Sequence, residues 1–281
     1  KSPDGDAVGS AAAFFHFLSN ISCDAQVVLP DLPSDTLLPF MADTKCLYFT
    51  ENPGDVKTLF EESSVLICLD FNASSRVGEM HSLVDGFKGV KVMIDHHPEP
   101  EPFSDIMISD VTNSSTCQLI YECIELMQLT HAIDQHVARS LYLGIMTDTG
   151  SFRFPSVSAK THQILADLLH TCIGHWQIHQ DVYDNNRIDQ LQLRGYAISE
   201  KLVLLNKLHT LHLFRKYAKG MNRWSYTRHH NPKSNHLSHP PLFPNQNKPF
   251  GNPHSIQSAH NNNLWHHQLL ALVHNAYPDN L

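Results

Sequence analysis

Four separated segments of this chain carry residues able to gather divalent metal ions. PDGDAVGS at 3–10 offers Asp4 and Asp6, VLICLD at 65–70 ends on Asp70, IDHHPEP at 94–100 offers Asp95, His96 and His97, and GIMTDTGSF at 144–152 offers Asp148. Carboxylates brought together without Lys or Arg among them repel one another and resist ionisation unless cations neutralise the site. Carboxylate and imidazole without thiolate suit Mn²⁺, Mg²⁺ or Fe²⁺ better than a structural Zn²⁺. Each segment alone has a plainer reading. PDGD is a turn with a helix-capping Asp, Asp70 a cap for the next helix, Asp-His-His a hydrogen-bonded loop, and Asp148 a residue of a helix-terminal loop. Their occurrence together, all at strand or helix ends, favours the metal reading.

The elements that must position these residues alternate between strand and helix. Patterning predicts helices over 7–19, 34–42, 55–62, 75–87, 115–128, 133–147, 158–172 and 188–206. It predicts strands over 25–29, 46–49, 65–70, 90–95 and 106–109. Continuous apolar strands such as VLICL, joined by helices, indicate an α/β fold with a mostly parallel sheet flanked by helices. Ligands bind such sheets at the carboxyl ends of the strands, where Asp70 and Asp95-His96-His97 fall.

A chain of 281 residues with 42% hydrophobic content can bury a sizeable core. The absence of a long uncharged apolar run and of a basic-plus-apolar leader leads us to expect no membrane span and a cytoplasmic protein. Six scattered cysteines without C-x-x-C spacing fit a reducing compartment. Charge is uneven: residues 1–216 carry a net −12, whereas 217–281 carry +4, with nine histidines and eleven asparagines. That tail is expected to be poorly ordered apart from a helix over 264–274, and its histidines follow no ligand spacing. The acidic body argues against long nucleic acid as a partner, because that needs a broad basic footprint. The oligomeric state stays open, a homodimer included.

PDGDAVGS, LDFN, IDHHPEP and GIMTDTGSF, in this order, resemble the four motifs of the DHH phosphoesterase superfamily. SSTCQLIYE at 114–122 and VYDNNRIDQLQLRGYAISEKL at 182–202 resemble the branch that degrades nano-RNA and dephosphorylates 3′-phosphoadenosine 5′-phosphate (pAp). The resemblance covers about 1–215. It implies a DHH catalytic domain over 1–185 and a helical connector with the start of a further domain over 186–216, ahead of the atypical tail. In the family a His stands four residues before the first Asp of motif one, a position just ahead of Lys1, so that ligand and its strand are expected to be missing here. A glycine-rich GGGH segment marks the family's substrate domain. Only Gly220 and Gly251 follow Gly195, so the tail reads as a truncated domain followed by sequence of another origin.

Carried over residue by residue, the resemblance implies two Mn²⁺ ions, with Mg²⁺ an alternative, held by Asp4, Asp6, Asp70, His96 and Asp148, Asp70 bridging. Asp95 would orient His96, and His97 would face the substrate phosphate as donor or general acid. Arg76, Thr149 and Arg153 would contact the substrate. The implied reaction is phosphoester hydrolysis of pAp, to AMP, or of short oligoribonucleotides. Hydrolysis of pyrophosphate or a cyclic dinucleotide, or an inactive remnant, are the other readings.

Overall fold

The computed structural model describes residues 2–185, 188–205 and 208–211. The expected tail, 217–281, and its helix over 264–274 lie outside the described residues. Among the described residues, contacts divide the chain after Asn185 into two units, each considered by itself.

The first unit opens with α1 (Gly5–Asn20), whose start is set by Asp4: its extended backbone precedes the helix and its carboxylate accepts from Ala7 N at 3.0 Å. The parallel pair β1 (Val27–Leu29) and β2 (Cys46–Tyr48) follows, then α2 (Pro53–Glu62), which begins on a proline suited to that position. Next come β3 (Val65–Leu69), α3 (His81–Gly86), β4 (Val90–Asp95) and β5 (Ile106–Ser109), the three strands forming one parallel sheet in the order β3-β4-β5. In its register Leu69 stands beside Ile94, and Asp95 beside Ser109, so β3 and β4 deliver their ends side by side. The unit closes with α4 (Thr116–Leu126), α5 (Gln135–Asp148), α6 (Ala159–Leu169) and the short α7 (His175–His179), which runs into a π-helical turn over Gln180–Asp184.

The parallel sheets and flanking helices give the α/β fold expected. Its main core joins Phe17 of α1, Ile94 of β4, Ile120 and Ile124 of α4, Leu141 and Ile145 of α5, and Ile164 and Leu168 of α6. Each fully buried side chain of this size contributes about 1.5–3 kcal/mol. α1 and α5 approach closely because two glycines face each other: a Cβ on Gly9 would meet Ser140 O at 2.6 Å and Gly144 N at 2.9 Å. The start of α1 thereby lies against the end of α5, where Gly5 adjoins Thr147, and Asp6 is brought near Asp148.

Three expected helices differ. The segment 34–42 contains a 3-10 turn over Leu38–Met41. The segment 75–87 is a 3-10 stretch over Ser74–Met80 followed by α3, with Gly78 at φ 67° breaking the run. In the second unit, α8 (Ile188–Lys201) ends before the expected 206, because β6 (Leu202–Leu205) pairs antiparallel with β7 (Leu208–Leu211). Among the described residues no helix is long and apolar enough to cross a membrane.

Candidate metal centre

Asp70 follows β3 in a left-handed conformation, φ 64°, which an aspartate tolerates better than most residues, while its N–H donates to Ile94 O on β4 at 3.1 Å. The turn places its buried carboxylate next to the two histidines that follow β4. Asp70 Oδ1 lies 3.9 Å from His96 Nε2 and 3.8 Å from His97 Nδ1. His96 Nε2 also faces Asp6 Oδ2 at 3.8 Å and Asp148 Oδ2 at 3.1 Å. Two overlapping groups of side chains that could hold a metal ion result, one of Asp70, His96 and His97 and one of Asp6, His96 and Asp148. They share His96, whose Nε2 has one lone pair and can serve one ion only.

The electrostatics of the cluster call for cations. Burial, then the neighbouring Asp148, pushes the fully buried Asp6 up from 3.8 to about 6. Burial, then Asp6, Asp4 and Asp148, raises Asp70 well above its ordinary value. For His96, burial favours the neutral ring, but the hydrogen bond to Asp148 and the charges of Asp6, Asp148 and Asp95 outweigh it and raise its pKa. The ion pairs of Asp6, Asp70 and Asp148 are with His96 and His97. Oxygen and imidazole donors with two strongly buried carboxylates fit Mn²⁺ or Mg²⁺. Cys117, beside Asp6, is no competing thiolate: burial, then the Asp6 charge, raises its pKa far above the usual thiol range, and its Sγ is within hydrogen-bonding reach of the carbonyls of Asp6 and Ser140.

Several expected residues take other positions. Asp4 is exposed and caps α1, yet it stands close enough to Asp70 to raise that group's pKa; it does not join either ligating group. Asp95 orients His97 rather than His96, because its Oδ1 lies 2.7 Å from His97 Nδ1 and its Oδ2 accepts from the His97 backbone N–H at 3.1 Å. Arg76 Nη2 lies 3.5 Å from the other ring nitrogen of His97. Arg153 is exposed and its Nε donates to Gly150 O at 2.6 Å. Thr149 is fully buried, its hydroxyl donating to Ile145 O at 2.5 Å and accepting from Phe152 N at 3.0 Å, so it serves the end of α5 instead of facing a ligand.

Sequence reasoning missed the first turn of α4. Thr116 N donates to Asp6 Oδ2 at 2.6 Å, Cys117 N to Asp6 Oδ1 at 3.0 Å, and the Thr116 hydroxyl to Asp70 Oδ1 at 2.9 Å. The available signal was SSTC, where Ser115 caps α4 by accepting from Gln118 N at 3.0 Å, leaving the next two N–H groups for an anion.

Comparison with known proteins places the chain among relatives that share its motifs' domain. Uncharacterized protein MG371 of Mycoplasma genitalium is 31% identical over 207 residues, which are 73% of this chain and 60% of that protein. The bifunctional oligoribonuclease and PAP phosphatase NrnA of Bacillus subtilis is 25% identical over 196 residues, 69% of this chain and 58% of the relative. The crystal structure of an exopolyphosphatase-related protein from Bacteroides fragilis superposes with a TM-score of 0.70 at 35% identity, covering 73% of this chain and 60% of that one. The chain thus spans less than two thirds of the length of these relatives. The family described as "DHH family, N-terminal domain" matches residues 1–145, which include Asp4, Asp6, Asp70 and the Asp95-His96-His97 run. Matched over more than half its length, the chain belongs to the DHH family.

Proposed function

We propose that the chain is a metal-dependent phosphoesterase that hydrolyses small nucleotide phosphate esters, pAp to AMP, and short oligoribonucleotides, using two Mn²⁺ ions. The observation that carries this reading is the convergence of Asp6, Asp70, His96 and Asp148 into a cluster whose carboxylates, among the described residues, have only imidazoles as ion-pair partners within 4 Å. When bound, paired divalent ions would lower the pKa of water and neutralise charge developing on a phosphoryl group.

The chain's own residues complete the chemistry. Asp6, Asp148 and His96 would hold one ion, and Asp70, a member of the other group, would serve the second and bridge the two. Asp95 holds His97 Nδ1, so the proton that His97 can exchange with a leaving oxygen sits at Nε2, the nitrogen that faces Arg76. Arg76 would bind a phosphate oxygen through its planar donor fork, and Arg153 is the second cation assigned to the substrate. An acidic body suits a small nucleotide better than a long nucleic acid, which needs a broad basic footprint. The setting we assign is the cytoplasm: among the described residues, which include all six cysteines, no disulfide forms.

The test is phosphate release from pAp by the metal-stripped chain on addition of Mn²⁺. Release that depends on Mn²⁺ and disappears in Asp70→Ala is the expected result. Release that persists in that variant, or none at any Mn²⁺ concentration, would overturn the reading.

A further inference from the structure

We infer that Thr116 is a positioning residue for the metal-ligating carboxylates, setting the affinity of the cluster for divalent cations without being a ligand. The inference rests on the metal reading above. Thr116 donates to metal-site carboxylates from two separate segments: through its N–H to Asp6, at the start of α1, and through its hydroxyl to Asp70, which follows β3. The oxygen it fixes matters. Asp70 Oδ1 is the oxygen that faces both His96 Nε2 and His97 Nδ1, so the hydroxyl selects which carboxylate edge the histidines meet.

Thr116 is itself held rigidly. It is fully buried at the first position of α4. The turn around it is tied down by the Ser115 cap and by Gln118, whose Oε1 accepts from Ser114 Oγ at 2.6 Å and from Thr161 Oγ1 at 2.8 Å, while its Nε2 donates to Glu122 at 3.0 Å. A donor locked in this way spares the carboxylates the entropy of finding one orientation when a cation binds. A hydroxyl donates one proton and leaves the remaining lone pairs of Asp70 for other partners, which a Lys or Arg at this position would not do without adding its own charge.

Two substitutions separate the hydroxyl from the backbone. Thr116→Val keeps shape and the N–H bond to Asp6 but removes the bond to Asp70. Thr116→Ser keeps both. The experiment measures Mn²⁺ binding to the metal-stripped full chain by isothermal titration calorimetry, with the thermal midpoint of each metal-free protein recorded alongside. We expect Thr116→Val to fold and to bind Mn²⁺ about 10- to 100-fold more weakly, the range for outer partners of metal ligands, and Thr116→Ser to bind within about 3-fold of wild type. A Val variant that binds like wild type, a Val variant that fails to fold, or a Ser variant as weak as Val would overturn the inference. Absence of Mn²⁺ binding by the wild-type chain would overturn the metal reading itself, and the inference with it.

Discussion

His97 Nδ1 stands 2.7 Å from Asp95 Oδ1, and the second oxygen of the same carboxylate takes the His97 backbone N–H at 3.1 Å. Asp95 is fully buried as the last residue of β4, so the strand end clamps both the main chain and the ring of the histidine that leaves it. Replacing Asp95 by Asn keeps the shape but loses one acceptor and the negative charge, which frees the ring to adopt the other tautomer. Turnover should fall by about 10- to 100-fold while Mn²⁺ affinity changes little. Steady-state kinetics beside a Mn²⁺ titration check this, and an equal loss in both quantities would place Asp95 in metal binding instead.

Arg76 Nη2 lies 3.5 Å from His97 Nε2, the ring nitrogen turned away from Asp95. If it binds phosphate, Arg76→Ala should raise KM for pAp about 10-fold, the cost of one charge-assisted hydrogen bond, and leave Mn²⁺ affinity as it is. A change confined to kcat would contradict that assignment.

The metal-free protein should respond to pH in a defined direction. Burial raises Asp6 from 3.8 to about 6, and Asp70 is raised well above 3.8, so the folded chain keeps protons that the unfolded chain has released. The stability these groups contribute is complete below the unfolded pKa and is lost as pH rises through the folded value. In EDTA, the melting temperature of wild type should therefore fall relative to that of Asp70→Asn as pH rises above about 4, and excess Mn²⁺ should remove the difference in slope. Parallel curves in EDTA would argue against the buried-carboxylate account.

A further expectation concerns the close approach of α1, α4 and α5. A Cβ on Gly144 would collide with Cys117 and come within 2.5 Å of Asp6 Oδ1, whereas one on Gly54 would meet open space. Gly144→Ala should destabilise the fold by about 1–3 kcal/mol and weaken Mn²⁺ binding, while Gly54→Ala should stabilise it by about 0.4–1 kcal/mol. Denaturant melts of the two variants decide this, and a harmless Gly144→Ala would mean that α5 shifts at no cost.

What could be read from the sequence followed from strongly periodic segments. VLICL and VKVMID announce parallel strands, with Asp70 directly after the first and Asp95 ending the second, so the strand-end places of Asp70, His96 and His97 were legible from the pattern while their roles came from the resemblance. The helix over 188–206 was misjudged because LVLL continues a helical pattern, and only its pairing with LHTL turns it into a strand. The short α7, HWQIH, was not anticipated, since five mostly polar residues carry no period. The partner of Asp95 was misplaced for a different reason: adjacent histidines are indistinguishable until the turn after β4 sends one ring back to the carboxylate and the other towards Asp148. Thr116 was silent because one hydroxyl and one N–H acquire a role only when two distant carboxylates arrive above them.

The most direct test of the metal centre is calorimetric titration of Mn²⁺ into the stripped chain and into Asp70→Asn. Two ions bound per wild-type chain, with binding abolished or reduced to one weak ion in the variant, is the predicted result. No binding by the wild-type chain, or identical isotherms for both proteins, would contradict a metal centre built around Asp70.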